Sequence, residues 1–269
     1  MISKIAVLGA GTMGIGIAEV AAAHGCQVKL FDINQTLIKT AIDGLSARLD
    51  KRIDKGKINI SDKKSLLQNI TAVDELSKLK GCELVIEAVL EKLSVKQNLF
   101  KQLEQICGEQ TMLASNTSSI SITAIAACLQ HPERVLGLHF FNPAPIMKLV
   151  EVIAGVKTEQ NVLAQATELV TAWGKVAAQA QSTPGFIVNR VARPFYGEAL
   201  KIYQEQMADI QTIDTCMQDA AGFRMGPFRL MDLIGIDVNF PVSKTVYHAM
   251  YEDPRYRPSL LPSEMGAAG

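Results

Sequence analysis

The sequence of 269 residues predicts an α/β domain followed by a smaller all-helical domain. Two observations predict this fold. Up to Thr183, short apolar runs typical of strands alternate with longer segments of helical periodicity, as in sheets whose parallel strands are joined by helices. Beyond the Pro184-Gly185 pair, the remaining segments have helical periodicity throughout. We therefore place residues 1–183 in the first domain and residues 184–269 in the second.

A glycine-rich turn follows the first predicted strand and opens the first predicted helix. Residues 9–14 have the pattern G-x-G-x-x-G. In this pattern Gly9 permits a tight turn, Gly11 lets the backbone approach a pyrophosphate, and Gly14 lets helix and strand pack closely. The start of the helix, at Thr12 and Met13, adds backbone N–H groups and the positive end of the helix dipole. The turn therefore predicts a Rossmann-type dinucleotide site.

Asp32, at the end of the second predicted strand, discriminates between dinucleotides. Its carboxylate can accept hydrogen bonds from both hydroxyls of an adenosine ribose, whereas a 2′-phosphate would be repelled. This favours NAD over NADP. FAD is the nearer rival, because it uses the same first turn, and a βαβ unit without a ligand is the purely structural alternative.

The composition argues against several other classes of protein. The chain has 27 basic and 27 acidic residues, so its formal net charge is zero. It therefore has no excess of positive charge that would indicate binding to nucleic acid or to an anionic membrane. No apolar run is long enough to cross a bilayer, and the first strand begins too early for a signal peptide. The five cysteines are scattered and form no C-x-x-C pair, which predicts reduced thiols in a cytoplasmic protein and no metal site.

Two predicted strand ends are candidates for further cofactor contacts. One strand spans residues 83–89 and ends in an acidic segment, and the next spans residues 112–114 and is followed by the small polar residues 115–119. In a doubly wound sheet, ligands lie beyond the carboxyl ends of the strands. The polar segment could instead serve only to cap the following helix, and the sequence leaves both readings open.

His139 is the candidate general base. It lies in an apolar strand, and Glu151 lies in the next strand across a short connection. Adjacent strands can bring the two side chains into contact, and a buried carboxylate on one imidazole nitrogen would fix the tautomer and stabilise the imidazolium. The other nitrogen could then remove a hydroxyl proton while a hydride leaves for a nicotinamide.

A long helical segment over residues 34–57 carries a cluster of positive charge near its end. The cluster comprises Arg48, Lys51, Arg52, Lys55 and Lys57. On composition alone a solvated helix face is the favoured explanation, and a site for a phosphate-rich ligand is the alternative.

Taken together, these segments resemble the 3-hydroxyacyl-CoA dehydrogenases over almost the whole chain. The segments that carry the resemblance are GAGTMG at 9–14, EAVLE at 87–91, SNTSS at 115–119, HFFNP at 139–143, KLVEV at 148–152 and PGFIVNR at 184–190. Within the family, the sequence looks most like the bacterial 3-hydroxybutyryl-CoA and 3-hydroxyadipyl-CoA dehydrogenases. The resemblance implies NAD-dependent oxidation of an L-3-hydroxyacyl-CoA to the 3-oxoacyl-CoA, and the reverse reaction, in a homodimer.

The resemblance also implies roles for individual residues. His139 matches the general base, Glu151 the carboxylate that holds it, and Ser118 and Asn189 the groups that contact the substrate's 3-oxygen. The other implied cofactor contacts are Asp32, Ala88, Val89, Glu91, Lys96, Asn116 and Asn142, together with Ser118. Arg48, Lys55 and Ser118 match positions that contact CoA, which favours the ligand interpretation of the basic cluster.

Some alternatives stay open at this stage. Family members usually continue past position 269 with a short segment that ends in Gly-Phe-Tyr, and the sequence predicts that this chain lacks it. A related dehydrogenase acting on a free 3-hydroxy acid, or an NAD-binding protein without activity, would share most of the same features. The sequence does not predict the acyl chain, because an apolar pocket discriminates one methylene by only about 1–3 kcal/mol.

Overall fold

The computed structural model describes residues 2–259 and 261. The chain divides into two compact units, Met1–Ser182 and Thr183–Gly269. The last eight positions of the predicted helical domain, 262–269, lie outside the described residues.

The first unit contains an eight-stranded sheet within the described residues, with the strand order β3-β2-β1-β4-β5-β6-β7-β8. All neighbouring strands are parallel except β6 and β7, which are antiparallel. The strands are β1 Lys4–Leu8, β2 Gln27–Phe31, β3 Ile70–Val73, β4 Leu84–Glu87, β5 Met112–Ser115, β6 Val135–Phe140, β7 Leu149–Ala154 and β8 Val176–Gln181. The order of β1 to β6 is that of the doubly wound dinucleotide-binding fold, whose switch point lies between β1 and β4. The predicted fold class is confirmed.

Helices connect the strands of this sheet. They are α1 Thr12–Ala23, α2 Gln35–Asp54, α3 Ile60–Gln68, α4 Leu93–Ile106, α5 Ile122–Ala126 and α6 Gln160–Ala172. The central strands β4, β5 and β6 are buried along their whole length, which explains their nearly continuous apolar sequence. All polar groups of such strands must find hydrogen-bond partners inside the protein. A charged side chain that is buried at a strand end therefore indicates a network of internal partners.

The second unit is helical in its described residues, as the sequence predicts. Its helices are α7 Val188–Gln204, α8 Ile210–Asp219, α9 Pro227–Ile234 and α10 Ile236–Ala249. Apolar side chains of α7, α8 and α9 form its core, including Tyr196, Leu200, Ile213, Phe228 and Met231. No helix in the described part of either unit is long and apolar enough to span a membrane.

Candidate active site

The glycine turn after β1 has the geometry that its sequence predicts. Gly9 has a φ of +98°, and a Cβ at this residue would lie 2.4 Å from the carbonyl oxygen of Ala88. A Cβ on Gly14 would lie 1.8 Å from the carbonyl oxygen of Gly9. Around Gly11, by contrast, no atom lies within 4 Å of where a Cβ would be. The first and third glycines are therefore required by packing, and the second leaves open space at the start of α1.

Asp32 fixes the conformation of this turn. It directly follows β2, and its Oδ2 accepts a hydrogen bond from the backbone N–H of Ala10 at 2.8 Å. Its Oδ1 accepts one from the backbone N–H of Asn34, also at 2.8 Å. A carboxylate has about four acceptor sites, so two remain for ribose hydroxyls. The hydrogen bond to Ala10 connects the ends of β1 and β2, and no pattern in the sequence predicts it.

Glu87, a buried carboxylate, connects the ends of β4 and β5. It is the last residue of β4 and has no exposed surface. Its Oε1 accepts hydrogen bonds from the backbone N–H of Val89 and from Nζ of Lys96, each at 2.7 Å, and its Oε2 accepts one from Oγ of Ser115 at 2.6 Å. Lys96, a predicted cofactor contact, is itself 1% exposed. Sequence reasoning missed the role of Glu87, although an acid at the end of an apolar strand is a signal for it.

Glu91 organises the polar segment after β5. Its Oε1 accepts hydrogen bonds from Oγ1 of Thr117 at 2.5 Å and from the backbone N–H groups of Ser118 at 3.0 Å and Ser119 at 3.3 Å. Its Oε2 lies 3.2 Å from Nζ of Lys96. Burial alone would raise the pKa of Glu91, but the Lys96 ammonium and these hydrogen bonds outweigh burial and hold the pKa below its usual value.

Residues 115–119 do not supply the side-chain cap of the following helix. Ser121 does so, because its Oγ accepts a hydrogen bond from the backbone N–H of Ala124 at 3.2 Å. The amide Oδ1 of Asn116 instead accepts a hydrogen bond from the backbone N–H of Phe140 at 2.9 Å, which connects the ends of β5 and β6. The polar segment is therefore bonded to the neighbouring strand ends, where the doubly wound fold binds ligands.

His139 and Glu151 occupy directly opposite positions on β6 and β7. Nδ1 of His139 lies 2.6 Å from Oε2 of Glu151, and the two residues are 6% and 0% exposed. Because a carboxylate can only accept, Nδ1 carries the hydrogen of the neutral imidazole and Nε2 carries the lone pair. The contact that the sequence predicts is present, and a buried imidazole with a fixed tautomer can act as a base.

A buried lysine holds the loop that follows β6. This loop contains Asn142, a predicted cofactor contact, and Nζ of Lys175 donates hydrogen bonds to three of its backbone carbonyls. The acceptors are the carbonyl oxygens of Ala144, Pro145 and Met147, at 2.6, 3.3 and 2.8 Å. Burial lowers the pKa of Lys175. No sequence pattern indicated that Lys175 would be buried.

The basic cluster of α2 lines a cleft of 880 Å³ in the first unit. The dinucleotide turn, the facing sides of α1 and α2, and the loop after β6 form its walls. Its lining includes Gly11, Thr12 and Asn142 together with Arg48, Lys51, Arg52 and Lys57. Lys55 is exposed at the C-terminal end of α2 and is not part of the lining. The structure therefore places four of the five basic residues in one cleft with the glycine turn.

Glu19 of α1 partly neutralises this cluster. It is 5% exposed, and its carboxylate pairs with Arg48 at 3.1 Å and with Arg52 at 3.4 Å. Lys51 and Lys57 form no ion pair with a described carboxylate. The predicted CoA contact Arg48 thus has an internal partner that the sequence did not indicate.

Asn189, the remaining predicted site residue, belongs to the second unit. It is the second residue of α7, and its backbone carbonyl accepts a hydrogen bond from Nε of Arg193 at 3.1 Å. Its predicted contact with the substrate's oxygen stays a prediction.

Comparison with known proteins assigns both units to one family. A family model described as "3-hydroxyacyl-CoA dehydrogenase, NAD binding domain" matches residues 4–183, and one described as "3-hydroxyacyl-CoA dehydrogenase, C-terminal domain" matches residues 185–269. The chain belongs to the 3-hydroxyacyl-CoA dehydrogenase family.

Members of this family from several bacteria are similar over the whole chain. A 3-hydroxyadipyl-CoA dehydrogenase of Escherichia coli is 51% identical over 268 residues, and a probable 3-hydroxybutyryl-CoA dehydrogenase of Bacillus subtilis is 38% identical over 268 residues. The chain spans 56% of the length of the first relative and 93% of the second.

Solved structures of the family superimpose closely on this fold. A 3-hydroxybutyryl-CoA dehydrogenase from Escherichia coli gives a TM-score of 0.98 at 51% identity, covering all of this chain and 57% of that one. An (S)-3-hydroxybutyryl-CoA dehydrogenase from Ralstonia eutropha gives 0.96 at 38% identity, covering all of this chain and 95% of that one.

NAD, the cofactor of the 3-hydroxyacyl-CoA dehydrogenase family, fits the residues present. The open space at Gly11 would admit a pyrophosphate at the start of α1, where a side chain of any other residue would project. Asp32 retains acceptor sites for the ribose hydroxyls.

Proposed function

We propose that this chain oxidises L-3-hydroxyacyl-CoA to 3-oxoacyl-CoA with NAD, and catalyses the reverse reaction, with His139 as the general base. The observation that carries this proposal is the buried 2.6 Å contact between Nδ1 of His139 and Oε2 of Glu151. Burial of both side chains distinguishes this contact from the exposed contact of His131 with Glu133 at 3.1 Å.

In the direction of oxidation, Nε2 of His139 takes the proton of the substrate's 3-hydroxyl. Glu151 accepts the hydrogen bond from Nδ1 throughout and stabilises the imidazolium that forms. NAD, when bound, supplies the acceptor for the hydride that leaves carbon 3. In the reverse direction, the imidazolium returns the proton to the oxygen. Such proton transfer contributes roughly 10²–10⁴-fold to the rate.

Ser118 and Asn189 are proposed to contact the substrate's 3-oxygen. For Ser118, the support is its position beyond β5, in a segment that Glu91 holds through the Ser118 backbone N–H. Donors directed at this oxygen would stabilise the negative charge that develops there. The support for Asn189 is the family motif in which it lies.

The basic cleft is proposed to bind the phosphates of CoA. Its lysines at positions 51 and 57 have no carboxylate partner among the described residues, and Arg48 and Arg52 share one. Four cations around one carboxylate leave a surplus of positive charge that suits a polyphosphate. Lys55 stays a prediction from the resemblance, without support from the lining of the cleft.

The decisive experiment measures oxidation of NADH with acetoacetyl-CoA as substrate, with NADPH in a parallel assay. We expect rapid oxidation of NADH and little of NADPH, because Asp32 would repel a 2′-phosphate. No oxidation of NADH by protein that is shown to be folded would contradict the proposed activity. Saturable binding of NADH without turnover on any acyl-CoA would support an NAD-binding protein without activity.

A second assay separates a CoA substrate from a free 3-hydroxy acid. Free CoA should inhibit turnover competitively if the basic cleft binds the CoA part of the substrate. A family member acting on a free acid would be insensitive to CoA. The relatives are named for both hydroxybutyryl-CoA and hydroxyadipyl-CoA, so the proposal leaves the acyl chain open. That the chain works as a homodimer in the cytoplasm also stays a proposal, which sedimentation and fractionation would test.

A further inference from the structure

The loop between β6 and β7, residues 141–148, forms one wall of the cleft that contains the basic cluster. Five of its residues line the cleft, namely Asn142, Pro143, Ala144, Pro145 and Ile146. Ile146 is apolar and yet 74% exposed. The loop therefore supplies a mainly apolar surface in the same cleft as the cations of α2, and its conformation sets the shape of that cleft.

Lys175 contacts the backbone of this loop without lining the cleft. It directly precedes β8, is 9% exposed, and donates from Nζ to the carbonyl oxygens of Ala144, Pro145 and Met147 at 2.6, 3.3 and 2.8 Å. An ammonium has three donors, and the three carbonyls use all of them. No other donor among residues 2–259 and 261 bonds to these oxygens. Without Lys175, three loop carbonyls would lose their partner.

The charge of Lys175 is held without a direct ion pair in the part of the chain that the structure describes. Burial lowers the pKa of Lys175, and the carboxylate of Glu19 on α1 partly opposes this effect. Burying an ammonium among neutral groups is costly. This cost favours a role for the loop conformation beyond the stability of the fold.

Gly16 of α1 lets the same loop lie directly against the helix. A Cβ on Gly16 would lie 3.3 Å from Cβ of Ala144 and 3.4 Å from Cδ of Pro145. Glycine is unfavourable inside a helix, and Gly16 lies within α1. The close approach of the loop explains a glycine at this position. Two separate elements, α1 and the segment before β8, therefore hold residues 144 and 145 in place.

The part of the loop that Lys175 and Gly16 hold adjoins the cations of the cleft. Glu19, which pairs with Arg48 and Arg52, lies three residues after Gly16 and therefore on the same face of α1. The glycine turn lies at the other end, before the first turn of α1. This part of the wall is therefore placed for the ligand that the cations bind.

We propose that Lys175 is a positioning residue for the CoA ester: it holds the loop as the wall against which the apolar part of CoA next to its phosphates binds. This inference rests on the proposed function and specifies how its substrate is bound. In the competing explanation, Lys175 only stabilises the fold and the wall contacts no ligand. The two explanations differ in which binding constant changes when Lys175 is replaced.

The test compares KM for acetoacetyl-CoA with the Kd of NADH in the wild type and in Lys175→Met. We expect KM to rise by about ten-fold and Kd to change by less than about two-fold, since apparent affinity falls with the fraction of molecules in the binding conformation. Lys64→Met, at an exposed lysine of α3, is the control and should match the wild type. An unchanged KM in folded Lys175→Met, or a KM that rises no more than the Kd of NADH, would overturn the proposal.

Gly16→Ala decides the question if Lys175→Met does not fold. Alanine is favoured over glycine inside a helix, so this variant should fold. Its methyl group would press on Ala144 and Pro145 from the side of α1. A rise of about two-fold or more in the KM for acetoacetyl-CoA supports the proposal, because small displacements at a binding site are costly. An unchanged KM overturns it.

Hydrogen exchange separates this inference from the proposed function. Free CoA should slow amide exchange in peptides that cover residues 141–148 of the wild type, and this readout needs no turnover. If the wild type does not reduce acetoacetyl-CoA, the proposed function fails, whereas slower loop exchange with CoA still supports the wall. Reduction of acetoacetyl-CoA by a wild type whose loop exchange is insensitive to CoA would overturn this inference alone.

Discussion

Nδ1 of His139 and Oε2 of Glu151 lie 2.6 Å apart because the antiparallel register of β6 and β7 pairs these two residues directly. Two further histidine–glutamate pairs occur among the described residues: Nδ1 of His131 lies 3.1 Å from Oε1 of Glu133, and Nδ1 of His248 lies 3.5 Å from Oε1 of Glu252. The His131–Glu133 pair is exposed and lies at the short 3-10 helix Pro132–Arg134, so it provides a matched control.

Replacing Glu151 with Gln should lower kcat by about 10²–10⁴-fold, because an amide neither stabilises the imidazolium nor fixes the same tautomer. His139→Gln should lose most turnover as well. Steady-state kinetics with acetoacetyl-CoA measures the loss, and fluorescence titration should show nearly unchanged NADH binding in both variants. Glu133→Gln should keep wild-type kinetics. Full activity of His139→Gln would exclude His139 as the base, and full activity of Glu151→Gln would exclude the proposed role of Glu151.

The buried Lys96–Glu87 ion pair should be essential for stability. Glu87→Gln removes the buried partner of the Lys96 ammonium and leaves only Glu91, at 3.2 Å; we expect the unfolding free energy to fall by up to the about 3–5 kcal/mol that breaking a buried pair costs. Urea unfolding of the wild type and the variant measures this difference. Asp74→Asn, which removes the partner of exposed Lys78, is the control and should unfold like the wild type. A Glu87→Gln variant as stable as the wild type would contradict the account of this network.

Glu91 should contribute stability that acid removes. Its pKa in the folded state is lowered, so its contribution is fully present above the unfolded-state pKa of about 4.3 and is lost as the pH falls through the folded-state value. The difference in unfolding free energy between the wild type and Glu91→Gln should therefore be largest near pH 7 and shrink below pH of about 4. Denaturant unfolding at a series of pH values measures this difference. A difference that grows on acidification would show that the pKa is raised instead.

The basic cleft should contribute to the KM for CoA esters. Lys57→Met should raise the KM for acetoacetyl-CoA by about two- to five-fold with little change in kcat, because a partly exposed ion pair is worth up to about 1 kcal/mol. The effect should weaken at high ionic strength.

Two further lysine variants make this measurement specific. Lys64→Met on α3, outside the lining of the cleft, is the control and should match the wild type. Lys55→Met tests the contact that the family resemblance implies. Because Lys55 does not line the cleft, we expect a smaller rise in KM than for Lys57→Met. Equal KM values for all of these proteins would exclude the cleft as the CoA site.

The sequence predicted those parts of this site that depend on local chain geometry. The glycine turn, Asp32 at the end of β2, and the facing of His139 and Glu151 follow from strand and turn patterns over short distances, so they could be read without coordinates. The family, too, was identified from short ordered motifs. Local spacing determines these features because only a few backbone conformations satisfy them.

Only the tertiary structure decided which charges meet. Glu87 with Lys96 and Glu19 with Arg48 join residues on separate elements, and no local pattern encodes such pairs. The same applies to the division of the basic cluster, where Lys57 lines the cleft and Lys55 does not. The physical reason is that the energy of a charge depends on its burial and partners, and both are set by the packing of elements distant in sequence. The sequence determined the family of this chain and the reaction proposed for it, and the packing determined which residues hold the parts of the site in place.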